Sequence, residues 1–352
     1  MLIKYEKINI FHTFFVQKTI QKLSIYVIIL WGEYKMAKNI KKIPLIINCD
    51  PGIDDAVALM LVIKSGLFDV KLVTTDLGNA GPKQSAINCN HIFELFGSPD
   101  IKVCAGDGKG FVRDRKHVAV HGKTGMGTYV FEPNSRVVSK QDAVEALYEE
   151  IMNSPEKVTI LCMSPTTNLA KLIDRHKDCW NSDKIERLVI MAGSFEELKP
   201  GEIPYAEFNI SCDPESAELL FTKNPKVPVD VVPMEMGHTA ILTWQDVFKS
   251  KNMNSVGAVF EYMFRSYKDR HVKNGIATHD GCAVAYMIDP KIFEIEKMYA
   301  EVKYFKSIDS GVLLFEKTEG VETKKKPNVT VCTKVNIKRF RRLYYKLLKK
   351  CK

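Results

Sequence analysis

From Lys42 onward the chain alternates short, unbroken apolar runs with stretches of helical periodicity. Leu45-Ile46-Ile47-Asn48-Cys49, Val70 to Thr75, Ile101 to Gly106, Val158 to Met163, Leu188 to Gly193 and Val229 to Met234 read as strands. Several of them lack polar alternation, as strands buried on both faces do. Between them, the Ala56 to Met60 pattern, Gln84 to Phe96, Asp142 to Met152 and Leu169 to Ile173 read as helices. In Asp142 to Met152, the residues Ala143, Ala146, Leu147, Glu150 and Ile151 are spaced for one buried stripe. Strand-then-helix repetition predicts an α/β fold: a doubly wound, Rossmann-like, mostly parallel sheet with helices on both faces. Ala300 to Val335 alternates as β-strands, and a basic helix closes the chain.

The residues before Met36 do not share this pattern. The apolar run Ser24 to Trp31 is far short of the ~20 residues that a membrane span needs, and no small-x-small cleavage site follows it. Met36-Ala37-Lys38 reads as a fresh start. Residues 1–35 are therefore expected to be an extension, disordered or not native, residues 36–337 a single folded domain, and residues 338–352 a basic C-terminal helix.

Charge changes the picture only at the ends. The 352 residues carry a formal net charge of +9, but residues 338–352 hold eight basic residues and no acid. Residues 1–42 hold a further excess of six, which leaves the body mildly acidic. Nucleic-acid binding by the body loses its support, and no membrane contact is expected. The nine cysteines are scattered singly, which argues against structural zinc and a disulfide framework and makes a reducing, cytoplasmic setting the simplest expectation.

Candidate chemistry concentrates at Asp50-Pro51-Gly52-Ile53-Asp54-Asp55, where three carboxylates meet at the carboxyl end of the first strand. Open α/β sheets bind their ligands there. Carboxylates so close repel one another unless a positive charge sits among them, and a hard divalent cation takes oxygen ligands of this kind. The plainer alternative makes Asp54 a helix N-cap and Asp55 a complement to the helix dipole. Asn79 follows the second strand in the turn Asp76-Leu77-Gly78-Asn79, and His279-Asp280 opens a late helix. Gly122-Lys123-Thr124 is no phosphate loop, because no glycine stands four residues upstream and no helix pattern follows directly.

Asp50-Pro51-Gly52-Ile53-Asp54-Asp55-Ala56, Gly78-Asn79, Ser164-Pro165-Thr166-Thr167-Asn168, Ala206-Glu207-Phe208-Asn209 and His279-Asp280, in this order and spacing, resemble the inosine-uridine-preferring nucleoside hydrolase family over roughly Lys42 to Val335. The resemblance implies hydrolysis of the N-glycosidic bond of ribonucleosides to ribose and free base. It implies a calcium ion held by Asp50, Asp55, Asp280 and the backbone carbonyl of Met163, with Asp50 also general base to the calcium-bound water. It implies that Asp54, Asn79, Glu207 and Asn209 hold the ribose, beside Phe208. His279 is the candidate proton donor to the leaving base, while Tyr267 and His121 are candidate contacts to the nucleoside. A homodimer or homotetramer is implied as well.

The chain departs from the family pattern at several points. Asn48 stands where an aspartate is usual, Asp76 where an aliphatic residue is, Ser164 where a glycine is and Thr166 where a leucine is, while Gly201 or Glu202 lies near a usual asparagine. Loss of a carboxylate at position 48 is expected to weaken the support around the metal. Asn48 and Gly201 also motivate the alternative of a non-catalytic nucleoside or metal binder that keeps the fold, against which the retained Asp50 argues. A magnesium-dependent phosphatase is a further alternative, but Asn48-Cys49-Asp50-Pro51-Gly52 lacks its second carboxylate.

Overall fold

The computed structural model describes residues 41–113, 121–195, 205–223, 226–266, 273–304, 311–318 and 325–351. Residues 1–35, Gly201, Glu202 and Tyr267 lie outside the described residues. Ile43 to Lys352 makes one compact unit, so its start falls a few residues after Met36.

Strand β1 (Ile43–Cys49) is buried from Leu45 to Cys49, as its unbroken apolar run requires. Pro51 and Gly52 turn the chain into the helix Ile53–Ser65, which ends at Gly66 with φ 74, a left-handed cap that glycine adopts without strain. The N-cap is Gly52, not Asp54, and the Gly52 N–H is taken by Asp55 Oδ2 at 2.8 Å.

Strands β2 (Phe68–Thr75), β3 (Val103–Ala105), β4 (Val158–Cys162), β5 (Ile185–Met191) and β6 (Val229–Val232) pair in parallel with β1 in the order β3-β2-β1-β4-β5-β6. A short pair, β7 (Leu242–Thr243) and β8 (Gly275–Ile276), lies outside this sheet. The C-terminal strands β9 (Phe293–Tyr304), β10 (Gly311–Lys317) and β11 (Val329–Val335) extend it past β6, with β9 antiparallel to both its neighbours and β11 parallel to β6. The strand order reverses direction between β1 and β4, and in doubly wound sheets the crevice at such a reversal binds ligands.

Two apolar cores cover the two faces of the sheet. Leu45, Ile47 and Cys49 of β1 face the first, with Val57, Val284, Phe340 and Tyr344 from the helices Ile53–Ser65, His279–Ile288 and Ile337–Leu348. Ile46 faces the second, with Leu147 and Leu172 from the helices Ala143–Asn153 and Thr167–Arg175. Alternation along the strand places the buried Asn48 on this second face. The C-terminal helix buries Phe340, Tyr344, Leu347 and Leu348, and the Tyr344 hydroxyl reaches Ser250 Oγ at 3.0 Å. Among the described residues no helix is long and apolar enough to cross a membrane, and no disulfide forms.

Candidate active site

The Pro51-Gly52 turn delivers Asp50, Asp54 and Asp55 to the crevice, and the helix His279–Ile288 adds Asp280 in its first turn. All four are buried. Asp54, Asp55 and Asp280 each offer an oxygen within 4.8 Å of the others, so Asp54, expected only at the sugar, shares the focus of this carboxylate set. Burial, and then the charge of Asp54, push the Asp55 carboxyl up to about 8. Asp50 and Asp280 are raised too, by burial first and by the Asp55 charge second.

The Asp55 and Asp280 carboxyls lie against each other, an approach that a shared proton or a cation between them would relieve. Oδ1 of Asp50 and Oδ1 of Asp55 are buried without a hydrogen-bond partner. A buried set of oxygen donors with orphaned lone pairs fits a hard divalent cation.

Neighbouring groups fix these carboxylates. Asp50 Oδ2 accepts the Asn79 backbone N–H at 2.7 Å, and Asn79 Nδ2 reaches Asp55 Oδ2 at 3.4 Å. The buried His121 accepts the Ile53 N–H on Nδ1 at 3.0 Å, and its Nε2 lies 3.9 Å from Asp54 Oδ1. His121 thus satisfies one orphan donor of the first helical turn and stands beside Asp54. Asn88, which sequence reasoning missed, donates to the carbonyls of Pro51 (3.1 Å) and Thr124 (2.7 Å), tying the turn to the loop that carries His121. In that loop Gly122-Lys123-Thr124 forms turns and opens no helix.

The other side of the crevice is built at the ends of β5 and β6. Glu207 caps the helix Phe208–Cys212 by accepting the N–H groups of Asn209 and Ile210, and it also accepts that of Gly193. Burial raises its carboxyl, and these backbone donors counteract the rise. Asn209 Nδ2 donates to the Met191 carbonyl at 3.1 Å, while Phe208 is half-buried. His279, when protonated, lowers the Glu207 carboxyl, which links the two halves. His279 Nδ1 donates to the Met234 carbonyl at 3.0 Å, and its ring meets that of His238 edge to face with centroids 4.8 Å apart. His238 carries no sequence signal beyond a single histidine a few residues past a strand.

Behind the carboxylates, Met163 continues the β1–β4 pairing by donating its N–H to the Asn48 carbonyl at 2.8 Å. Asn48 Nδ2 donates to Asp76 Oδ2 at 2.8 Å and to Ser164 Oγ at 2.8 Å. Its Oδ1 accepts from Thr74 Oγ1 at 2.7 Å and Asn168 Nδ2 at 3.1 Å. A carboxylate, Asp76, thus stands in direct contact with Asn48. Burial pushes Asp76 up to about 7, against the lowering effect of the Asn48 and Asn168 donors.

Comparison with known proteins gives the family. Residues 45–342 match the family model described as inosine-uridine preferring nucleoside hydrolase. The non-specific ribonucleoside hydrolase RihC of Escherichia fergusonii is 30% identical over 310 residues, 88% of this chain and 99% of the relative. RihC of an Escherichia coli strain is 31% identical over 300 residues, 85% and 96% of the two chains. Among solved structures, a plant nucleoside hydrolase superposes with a TM-score of 0.78 at 25% identity, covering 88% of this chain and 99% of that one. A purine-preferring ribonucleoside hydrolase from Gardnerella vaginalis, 22% identical with a TM-score of 0.77 over 87% and 98% of the two chains, shares the fold. With the family model matched over residues 45–342 and the relatives covered nearly end to end, the chain belongs to the inosine-uridine preferring nucleoside hydrolase family and is an N-glycosidase.

Proposed function

We propose that this chain hydrolyses ribonucleosides, inosine and uridine among them, to ribose and free base, with calcium held by Asp50, Asp55, Asp280 and the Met163 carbonyl. The observation that carries the reading is the convergence of three buried carboxylates, Asp54, Asp55 and Asp280, beside the buried Asp50, a set whose mutual repulsion a bound cation would relieve. When bound, calcium supplies a positive anchor for sugar hydroxyls and acidifies water in its coordination sphere.

The residues themselves divide the remaining work. Asp50 accepts the proton of the attacking water: its Oδ2 is held by Asn79, and its Oδ1 has no competing partner. Cleavage of the N-glycosidic bond passes through an oxocarbenium-like sugar, which the surrounding carboxylates stabilise electrostatically. Asp54, Asn79, Glu207 and Asn209 bind the ribose hydroxyls, with Phe208 along the sugar. His279 gives a proton to the leaving base; the Met234 carbonyl holds its Nδ1–H, so Nε2 is the nitrogen that transfers. His121 and Tyr267 contact the nucleoside, Tyr267 by stacking on the base.

A cytoplasmic enzyme acting as a homodimer or homotetramer completes the reading. Its test is release of reducing sugar from inosine and uridine by the purified protein, with Asp50→Ala as control. Turnover abolished in the variant supports it. A wild type that binds calcium and nucleoside yet releases no sugar would instead mark a binder.

A further inference from the structure

Three departures from the family pattern, at positions 48, 76 and 164, meet in one hydrogen-bonded cluster. The Asn48 amide is saturated: both Nδ2 hydrogens have acceptors, on Asp76 and Ser164, and Oδ1 has two donors, on Thr74 and Asn168. Asp76 Oδ2 also takes the Asn168 backbone N–H at 3.2 Å, and the Asp76 N–H returns to the Cys49 carbonyl at 3.2 Å. Ser164 Oγ contacts the Pro165 carbonyl at 3.2 Å. The cluster therefore joins the ends of β1, β2 and β4 to the first turn of the helix Thr167–Arg175, one residue from Asp50 on one side and one from Met163 on the other.

The chemistry of the pair is directional. A carboxylate at position 76 needs a donor opposite it, and only an amide at position 48 both donates to Asp76 and accepts from Thr74 and Asn168. Two carboxylates at 2.8 Å would repel, and an amide at position 76 would offer the Asn48 and Asn168 donors a weaker, neutral acceptor.

We infer that Asp76 is a positioning residue for the metal site, acting through Asn48: it orients the amide that fastens the Ser164–Asn168 turn, and with it the Met163 carbonyl, to the end of β1. The inference rests on the reading that Met163 and Asp50 hold the cation. It assigns the Asn48/Asp76 pair the task that a carboxylate on β1 would otherwise perform, moved by one strand.

The test is a reciprocal exchange. Asn48→Asp, Asp76→Asn and the double variant N48D/D76N are stripped with chelator, and calcium binding is titrated by calorimetry beside metal-free melting temperature and kcat and KM for inosine. Each single variant is expected to weaken calcium binding by about tenfold or more, within the range of losses when a group behind a metal ligand is removed. The double variant is expected to recover most of that loss in both calcium affinity and kcat. If Asn48→Asp fails to fold, folding and calcium binding by the double variant count as the same rescue. Losses that simply add in the double variant, or variants that change melting temperature while leaving calcium affinity untouched, overturn the inference and leave the proposed function standing. A wild type that binds no calcium overturns both.

Discussion

Gly78 leaves the space that Asp50 occupies: a Cβ at position 78 would lie 1.7 Å from Asp50 Oδ2, the oxygen that accepts the Asn79 N–H. The turn after β2 is thus shaped around the carboxylate proposed as the base. Gly78→Ala is expected to push that carboxylate off its donor. A displacement of about 1 Å in a catalytic group costs ~10²-fold in kcat, so inosine turnover should fall by about that factor while the protein stays folded by circular dichroism. Unchanged kcat would mean that Asp50 works from another position.

Gly237 plays the same part for His279. A Cβ there would meet His279 Nδ1 at 2.3 Å, the atom that donates to the Met234 carbonyl. Gly237→Ala should displace the imidazole and lower kcat by ~10²-fold, the lower end of what a general acid contributes. Calcium affinity should fall less than kcat, because the clash falls on His279 and reaches Asp280 only through the backbone between them. A kcat within twofold of wild type would remove His279 from proton transfer.

The buried carboxyls make the metal-free protein sensitive to pH in a defined direction. Asp55, raised to about 8, and Asp76, raised to about 7, keep protons in the folded state that the unfolded chain releases near pH ~4. Between about pH 4 and 8 the native state therefore holds more protons than the unfolded state, and stability falls as pH rises through that window. The slope is at most about 1.4 kcal/mol per pH unit for each such group. Urea midpoints measured in chelator across this range should decline. With excess calcium the decline should shrink, since the cation takes the place of the protons and binds more tightly as they leave. A metal-free midpoint that rises with pH would contradict the placement of these groups.

The C-terminal helix stabilises the body through its apolar face. Phe340 is completely buried in the core that also holds Val57 and Val284. Phe340→Ala should cost about 3–5 kcal/mol of unfolding free energy, the usual loss for a buried phenylalanine. Chemical denaturation measures it, and a loss below about 1 kcal/mol would show that the helix docks weakly.

Much of this was legible in the sequence because it is local. The run Leu45 to Asp55 places strand, turn and carboxylates within eleven residues, and the stretches Ile160 to Met163 and Leu188 to Ala192 announce their strands by unbroken apolar character. What the sequence concealed depends on register between distant strands. Asn48 read as a lost carboxylate because its compensation, Asp76, lies 28 residues away and becomes a neighbour only when β1 and β2 pair with Asn48 beside Thr74. His238 and Asn88 were overlooked for the same reason, as each gains its meaning from a contact made across the fold. Asp54 shows the converse: its position in the motif was plain, but its convergence with Asp55 and Asp280 is a matter of geometry.

The central claim is that buried carboxylates hold a cation on which nucleoside hydrolysis depends. Its most direct test is inosine hydrolysis by chelator-stripped protein as calcium is added back. The account predicts negligible turnover in chelator, full recovery as calcium saturates one site per chain, and no recovery in Asp280→Ala. Undiminished turnover by the stripped protein would contradict it.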